Sequence, residues 1–404
     1  MKVIDVFAGA GGLSEGFRQE GFEVVTHIEK ERAAALTLKT REAYYYLKEN
    51  NKLDVYLDYL NGKISRGELY SVIPLEELDK VINTEISNEN IDTLFKQIDV
   101  EDVDVIIGGP PCQAYSLIGR SRDKEGMKND SRNYLYKLYI KFLEHYKPKV
   151  FVFENVLGIL SAKNGTLFED IKKEMSHAGY KIDYRIMNSS DFGVLQNRKR
   201  VIIIGWRKDL SLSYPEFDKV TLKGDINTLF SDLPKIKSNT NMSVGQYLTE
   251  TNELLESLSI READWNTLTL NSTRKHNERD LEIYSYAVKT WNSEKRRIKY
   301  NELPNRLITM KNTKSFLDRF KVVDGEGISH TVVAHISKDG HHYIHPDIKQ
   351  NRSLTVREAA RIQSFPDNYY FETSRTQAYV QIGNAVPPIM AQEIARKVRN
   401  MLNI

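Results

Sequence analysis

Short apolar runs recur along the chain, and each is closed by glycine, proline or a carboxylate. Residues 103–109, VDVIIGG, carry a continuous Val/Ile run after acidic positions. A run without alternation predicts a parallel strand buried on both faces. Gly109, Pro110 and Pro111 end it abruptly, since proline cannot continue a ladder. Residues 2–30 predict a strand over 2–7, a glycine-rich turn over 8–12, a helix over 13–20 and a second strand over 22–28. In KPKVFVFENVLGIL, residues 147–160, a strand over 150–153 ends on Glu154 and Asn155. Residues 180–206 predict two strands separated by a loop, the second being RVIIIGW. From about 40 to 83 a charged stretch with many tyrosines and leucines reads as mostly helical, its tyrosines serving as packing residues. Near the other end a helix starts at Thr355, with Arg357 and Glu358 in its first turn. Residues 381–402 read as a turn followed by a terminal amphipathic helix, and Pro387–Pro388 suits that helix start. These elements predict an α/β fold. Open α/β sheets bind ligands and do chemistry beyond the carboxyl ends of their strands.

Composition narrows the classes. The 404 residues are 40% hydrophobic and 28% charged, as in an ordinary soluble globular protein, and the length suggests two or three domains. A single cysteine excludes an intramolecular disulfide framework and a cysteine-based zinc site. No apolar run approaches a membrane span. The opening MKVIDVFAGAGGL is too short and too interrupted by Asp5 to be a signal peptide, so the expected compartment is the cytoplasm. A net charge of +3 is too small to imply a polyanionic partner; local clustering has to carry that inference. Residues 294–320 hold eight Lys/Arg against three Asp/Glu, which suits either phosphate contacts or a solvated charged face.

Several residues carry candidate chemistry. A lone cysteine is usually a small buried hydrophobe, yet Cys112 falls on a loop just past the end of a strand, where a nucleophile is better placed. Gly9, Gly11 and Gly12 let backbone approach a ligand closely. Glu29, about twenty residues on, can accept from ribose hydroxyls. The spacing is not G-x-G-x-x-G and no P-loop lysine follows, so a tight turn remains the alternative to a nucleoside site. Glu154 is either a solvated strand terminator or a working carboxylate. Alternation places Arg198 and Arg200 on one face, where two guanidiniums could hold carbonyl or carboxylate oxygens. Residues 119–133 read as a mobile loop that closes over substrate. The His341-His342-x-x-His345 cluster lacks helical i, i+4 spacing, and no metal is expected.

The blocks DVFAGAGGLSEGF, GGPPCQAYS, FENV, QNRKRVIIIG, RSLTVREAARIQSFPD and QIGNAVPP occur in this order. In them the chain resembles the DNA (cytosine-5) methyltransferases of bacterial or phage modification systems. The resemblance implies a Rossmann-like, S-adenosylmethionine-dependent methyltransferase sheet with a smaller target-recognition domain. Residues 1–205 and 346–404 would form the catalytic domain and 206–345 the target reader. It implies methyl transfer from S-adenosylmethionine to C5 of a cytosine in a specific duplex DNA sequence, with base flipping and a covalent bond between Cys112 and C6. In that pattern Glu154 donates to N3, Arg200 holds O2, and Arg198 holds the nearby acid or backbone. Phe7, Gly9, Ala10, Gly12, Glu29, Lys30, Glu85 and Pro111 match cofactor positions, joined from the far end by Asn384 and Ala385. Ser116 and Arg120 past the cysteine, and Arg296 and Arg297 in the basic stretch, are the expected DNA contacts. The expected state is a monomer away from membranes, acting on double-stranded DNA beside a separately acting restriction endonuclease. Two local departures stand out: Leu195 replaces a frequent proline, and Thr84-Glu85-Ile86 stands where Gly-Asp-Ile is frequent. An RNA cytosine methyltransferase of the same fold is the main alternative, opposed by the long insert between 206 and 350. A catalytically silent DNA-binding protein is opposed by the intact Cys112, Glu154 and Arg200. In a nicotinamide oxidoreductase the Pro-Pro-Cys and Glu-Asn-Val blocks would have no role.

Overall fold

A computed structural model describes residues 1–111, 134–221 and 223–403. Its centre is a seven-stranded sheet. The first half supplies β1 (Lys2–Val6), α1 (Gly12–Gln19), β2 (Glu23–Glu29), α2 (Arg32–Glu49), α3 (Leu53–Leu60), α4 (Arg66–Ser71), α5 (Leu75–Asp79), β3 (Val81–Asn83), α6 (Ile91–Ile98) and β4 (Val105–Gly108). Then come α7 (Leu135–Tyr146), β5 (Val150–Asn155), α8 (Thr166–His177), β6 (Tyr180–Asn188), the two-residue β7 (Gln196–Asn197) and β8 (Lys199–Arg207). The strand order is β3-β2-β1-β4-β5-β8-β6. The first five strands are parallel, and β8 runs antiparallel to both β5 and β6.

Both faces of the sheet are covered, which explains why its strands are apolar at every position. Ile4, Val6, Ile106, Phe151 and Phe153 enter one core with residues of α6, α7 and α8. Val3, Val105, Ile107, Val150 and Val152 enter the other, against Phe17 of α1 and Met390, Ile394 and Val398. The last three belong to the terminal helix, Pro388–Leu402. The two chain ends thus pack against each other on one face. Each fully buried side chain of this size contributes about 1.5–3 kcal/mol.

The stretch from 40 to 83 is helical as expected, ending in β3. Tyr44 and Tyr56 are buried there as packing residues. Beyond the sheet, a helix at Glu278–Glu294 (α9) packs Ile283, Tyr284 and Val288 on Tyr300, Leu307, Phe320 and Val322. A separate core joins Leu195, Ile226, Leu229, Leu255 and Val332 to Val356–Ile362 (α10) and Arg375–Asn384 (α11). The predicted start at Thr355 is a full capping box with Glu358. The QIGN segment, expected to be a turn, is instead the last part of α11. Its buried Gln381 and Ile382 override a local pattern that looked like a break before Pro387. The terminal helix is α12, with Pro388 at its first turn.

Buried charges lock α10 in place. Arg361 reaches Asp232 and Asp367, each at 2.6 Å, and Arg261 meets Asp232 at 2.8 Å. Arg352 makes a two-pronged pair with Glu358 at 2.8 and 2.7 Å. Removing one partner of such a pair leaves a buried charge and costs about 3–5 kcal/mol. Among the described residues no helix is long and apolar enough to cross a membrane.

Acid stability should follow from this cluster. Burial lowers His345 from 6.5 to about 4, and its Nε2 lies 3.5 Å from Glu358. Glu358 is itself buried, but the Arg352 guanidinium pulls it from 4.5 to about 2. Both groups bind protons more readily when unfolded, so stability falls as pH falls. The thermal midpoint should drop as pH is lowered from about 6.5 to 4 through His345, and further below 4.5 through Glu358. His345→Gln should make the slope shallower in the upper window only, where partly buried His276 and His330, also lowered to about 4, supply the remainder. An unchanged slope between pH 6.5 and 4 in that variant would refute the assignment.

Candidate active site

The direction of chain connection reverses between β1 and β4, which lie side by side with Val6 opposite Gly108. Loops leaving such neighbours diverge and open a crevice at the sheet edge. The loop after β1 is Phe7 to Gly11, and the loop after β4 begins Gly109-Pro110-Pro111. Phe7 has a left-handed backbone, φ 61°. That bends the chain sharply out of the strand.

Glu29 ends β2 beside the first loop and is buried. Its carboxylate accepts the Gly9 N–H and the Glu31 N–H, each at 2.7 Å. Burial raises its pKa above the ordinary carboxylate value in spite of those two bonds. Of the loop glycines, Gly9 faces open space, whereas Gly11 lies against Leu38 and Tyr369, and Gly12 against the Val386 carbonyl. The absent side chains at 11 and 12 therefore serve close packing of the protein on itself. Ala10 is buried, and its carbonyl accepts the Tyr369 hydroxyl at 2.6 Å. Lys30 and Glu85 meet at 3.4 Å with largely exposed side chains. Asn83 donates to the carbonyls of Glu29 and Lys30, fixing that rim.

Glu154 ends β5, and its Oε1 lies 2.7 Å from Nε of Arg200 on β8. The two side chains are only 12% and 11% exposed. A Cβ on Gly109 would fall 2.7 Å from Glu154 Oε2, so glycine lets the carboxylate lie directly over the loop. Asn155 is the residue that sequence reasoning passed over. It is buried and donates to the Pro110 carbonyl at 3.2 Å, holding the loop that leads to Cys112. Its only signal was adjacency to Glu154 at a strand end. Cys112, Ser116 and Arg120, and the stretch 119–133, lie outside the described residues.

Arg198 and Arg200 do hold oxygens, but of different kinds. Arg198 is completely buried and donates to the carbonyls of Val332 at 2.7 Å and Gly383 at 3.0 Å. Burial, with the Arg200 charge nearby, lowers its pKa well below the ordinary guanidinium value. Gln196 accepts the Val332 N–H at 2.7 Å and donates to Gln363 at 2.6 Å. Leu195, where proline was expected, is buried in the core. Asn384 is exposed at the end of α11, while Ala385 is buried and its carbonyl accepts from Gln363 at 2.5 Å. Arg296 is engaged by Glu294 at 2.6 Å and Glu302 at 2.7 Å. Arg297 lines a cleft with Asn197 and Thr331. His341 pairs with the Tyr284 hydroxyl at 2.8 Å, and no metal-holding cluster occurs among the described residues.

A model of the C-5 cytosine-specific DNA methylase family matches residues 1–59 and 69–400. The chain belongs to the C-5 cytosine-specific DNA methylases. A type II methyltransferase of Bacillus paralicheniformis, M.Bpa9945I, is 45% identical over an alignment of 443 positions, covering 100% of this chain and 99% of that protein. M.DdeI of Desulfomicrobium norvegicum, also a type II methyltransferase, is 32% identical and covers 98% of this chain and 88% of its own length. The crystal structure of a prophage-encoded E. coli protein, described as a DNA modification methyltransferase, matches with a TM-score of 0.67. At 24% identity, covering 100% of both chains, it shows that the methylase shares that fold.

Arg198 offers a direct test of the site's support. Arg198→Ala should lower the stability of the methylase by about 1–3 kcal/mol for each carbonyl left buried and unpaired, read as a lower urea midpoint. Arg200→Ala, at a less enclosed position, should shift that midpoint less. A larger shift for Arg200→Ala would mean that Arg198 is not the structural tie.

Proposed function

We propose that this methylase transfers a methyl group from S-adenosylmethionine to C5 of a cytosine in a specific duplex DNA sequence, with Cys112 as nucleophile. The observation that carries the reading is the Glu154–Arg200 pair, held at 2.7 Å over the loop that leads to Cys112. The crevice also fits the methyl donor. Gly9 opens on free space and the buried Glu29 carboxylate can accept ribose hydroxyls there. Three strand spacings separate Glu29 from Glu154, about 14 Å, which leaves room for an adenosine-sized body between them. When bound, S-adenosylmethionine supplies a methyl group on a sulfonium, a good leaving group.

Cytosine C5 is a poor nucleophile until aromaticity is broken. The Cys112 thiolate forms a bond to C6, and the C5–C6 electrons become enamine-like. Charge then develops at N3 and O2. Protonated Glu154 donates to N3, and Arg200 holds O2. C5 takes the methyl group, loses its proton to a base, and the thiolate leaves as the C5–C6 double bond returns. Arg198 is a positioning residue in this scheme, because its Nη1 and Nη2 are both engaged by backbone carbonyls. The target base has to leave the duplex first, at a cost of a few kcal/mol, which DNA contacts must supply. Residues 206–345 would choose the sequence. The type II names of its relatives support a partnership with a separately acting restriction endonuclease.

Purified protein with labelled S-adenosylmethionine and either duplex DNA or tRNA tests the substrate class, label in duplex DNA being the expected result. Cys112→Ala should abolish transfer, and duplexes with 5-fluorocytosine should trap the wild-type protein covalently, since fluorine cannot leave as a proton. Glu154→Gln and Arg200→Ala should lower kcat more than they weaken DNA binding. Normal turnover by Cys112→Ala would end the mechanism.

A further inference from the structure

The basic stretch 294–320 is less cationic in the fold than in the sequence. Lys295 pairs with Glu326 at 2.5 Å, Arg296 with Glu294 and Glu302, and Arg306 with Glu282. Lys311 and Lys314, by contrast, have no carboxylate partner among the described residues. On either side of this pair in the sequence stand two exposed apolar side chains, Met310 and Phe316. Phe316 is 77% exposed, an unfavourable position for an aromatic ring in water.

The loop around Phe316 is built to hold it there. Phe316 has a left-handed backbone, φ 53°, which bulky side chains rarely adopt. Arg319 clamps that conformation by donating to the carbonyls of Phe316 at 2.8 Å, Ser315 at 3.1 Å and Asn312 at 3.0 Å. Asn312 in turn accepts the N–H groups of Lys314 at 3.1 Å and Ser315 at 3.0 Å. The Arg319 guanidinium lies over the Tyr300 ring, 4.1 Å from its centre, and Tyr300 is buried in the core beneath. Fixed polar contacts thus hold an aromatic side chain outward, just after two lysines that have no carboxylate partner among the described residues.

The position suits a partner at the catalytic strand. Six residues on from Phe316, Val322 lines a cleft of about 230 Å³ with Asn197, Arg297, His330 and Thr331. Asn197 directly precedes Arg198. Six extended residues reach at most about 20 Å, or roughly six base-pair steps of a duplex. The partner must be anionic outside and apolar within, open only through narrow slots. Stacked duplex DNA has that construction, and apolar wedges enter it between base steps.

We propose that Phe316 is an apolar wedge that enters the base stack of the bound duplex near the target cytosine, with Lys311 and Lys314 on the flanking phosphates. This rests on the methylase reading above. The wedge offsets stacking lost when the target base leaves the helix.

The test uses the full chain and duplexes carrying the target site, mapped first by methylation sequencing. Phe316→Ala should lower kcat/KM on the paired duplex about ten-fold or more. With an abasic site opposite the target cytosine, part of the unpairing cost is already removed, and the loss should shrink to less than about three-fold. Phe316→Leu, which keeps an apolar wedge, should retain most activity on both. Lys311→Ala should weaken both duplexes alike and make the salt slope shallower by about one. Equal losses for Phe316→Ala on the two duplexes, or no loss on either, would overturn the wedge while leaving the methylase reading intact. If the wild-type chain labels no duplex DNA at all, that reading fails and the wedge falls with it.

Discussion

One buried guanidinium joins the three stretches of chain that make the site. Arg198 stands at the entrance to β8, donates to Val332 in the middle of the chain, and donates to Gly383 near its end. Gln196 repeats the tie two residues earlier, accepting from Val332 and donating to Gln363. A side chain with so many fixed donors in one plane can satisfy two carbonyls at once, and a buried carbonyl without a donor is costly. The register of β8 is therefore coupled to both the middle region and α11. Arg200 follows Arg198 by two residues, so the reach of its side chain to Glu154 inherits that register.

The same logic separates what is rigid from what reacts. Glu154 and Arg200 sit on neighbouring strands of one hydrogen-bonded sheet, and Gly109 directly follows a third strand, β4. Their mutual geometry is fixed by ladder hydrogen bonds and by two cores of close-packed side chains. Asn155 then carries that rigidity into the Pro110 carbonyl and the loop beyond. A carboxyl group and a guanidinium held this way are preorganised, the arrangement by which fixed groups lower a barrier without reorganising during a reaction.

The residue pattern reveals ahead of the structure whatever depends on local chemistry. VDVIIGG had to be a doubly covered strand, Thr355 with Glu358 had to cap a helix, and Glu154 had to lie at a strand's carboxyl end. It does not reveal which distant group answers each of them. Gly12 is bare because Val386 comes against it from the far end of the chain. The guanidiniums of 198 and 200 share a face by alternation, yet one meets carbonyls and the other a carboxylate. QIGN resembles a turn but continues α11, since burial of Gln381 and Ile382 outweighs the local break. The acids that quench the basic stretch at Lys295 and Arg306 are Glu326 and Glu282, both outside the window in which its charge was counted.

These long-range ties constrain how such a chain can vary. Residues 226–268 share a core with α10 and α11, and Asp232 is wedged between Arg361 and Arg261. The middle of the chain is thus bonded to the end that closes the sheet, through charges that are stable only as a complete set. Surface loops of the middle region, such as 309–319, touch none of these buried charge pairs, so changes there leave the register of β8 in place. Position 332 accepts neither proline nor a shift of register, because its backbone N–H and carbonyl are both committed to the segment that enters β8. Changes of sequence would therefore be tolerated in the exposed loops and resisted where they break the backbone ties at 332 or the charge pairs of Asp232. The strand register of β8 is held by the Arg198 and Gln196 side chains on the backbone of Val332 and Gly383, contacts that no outer loop replaces.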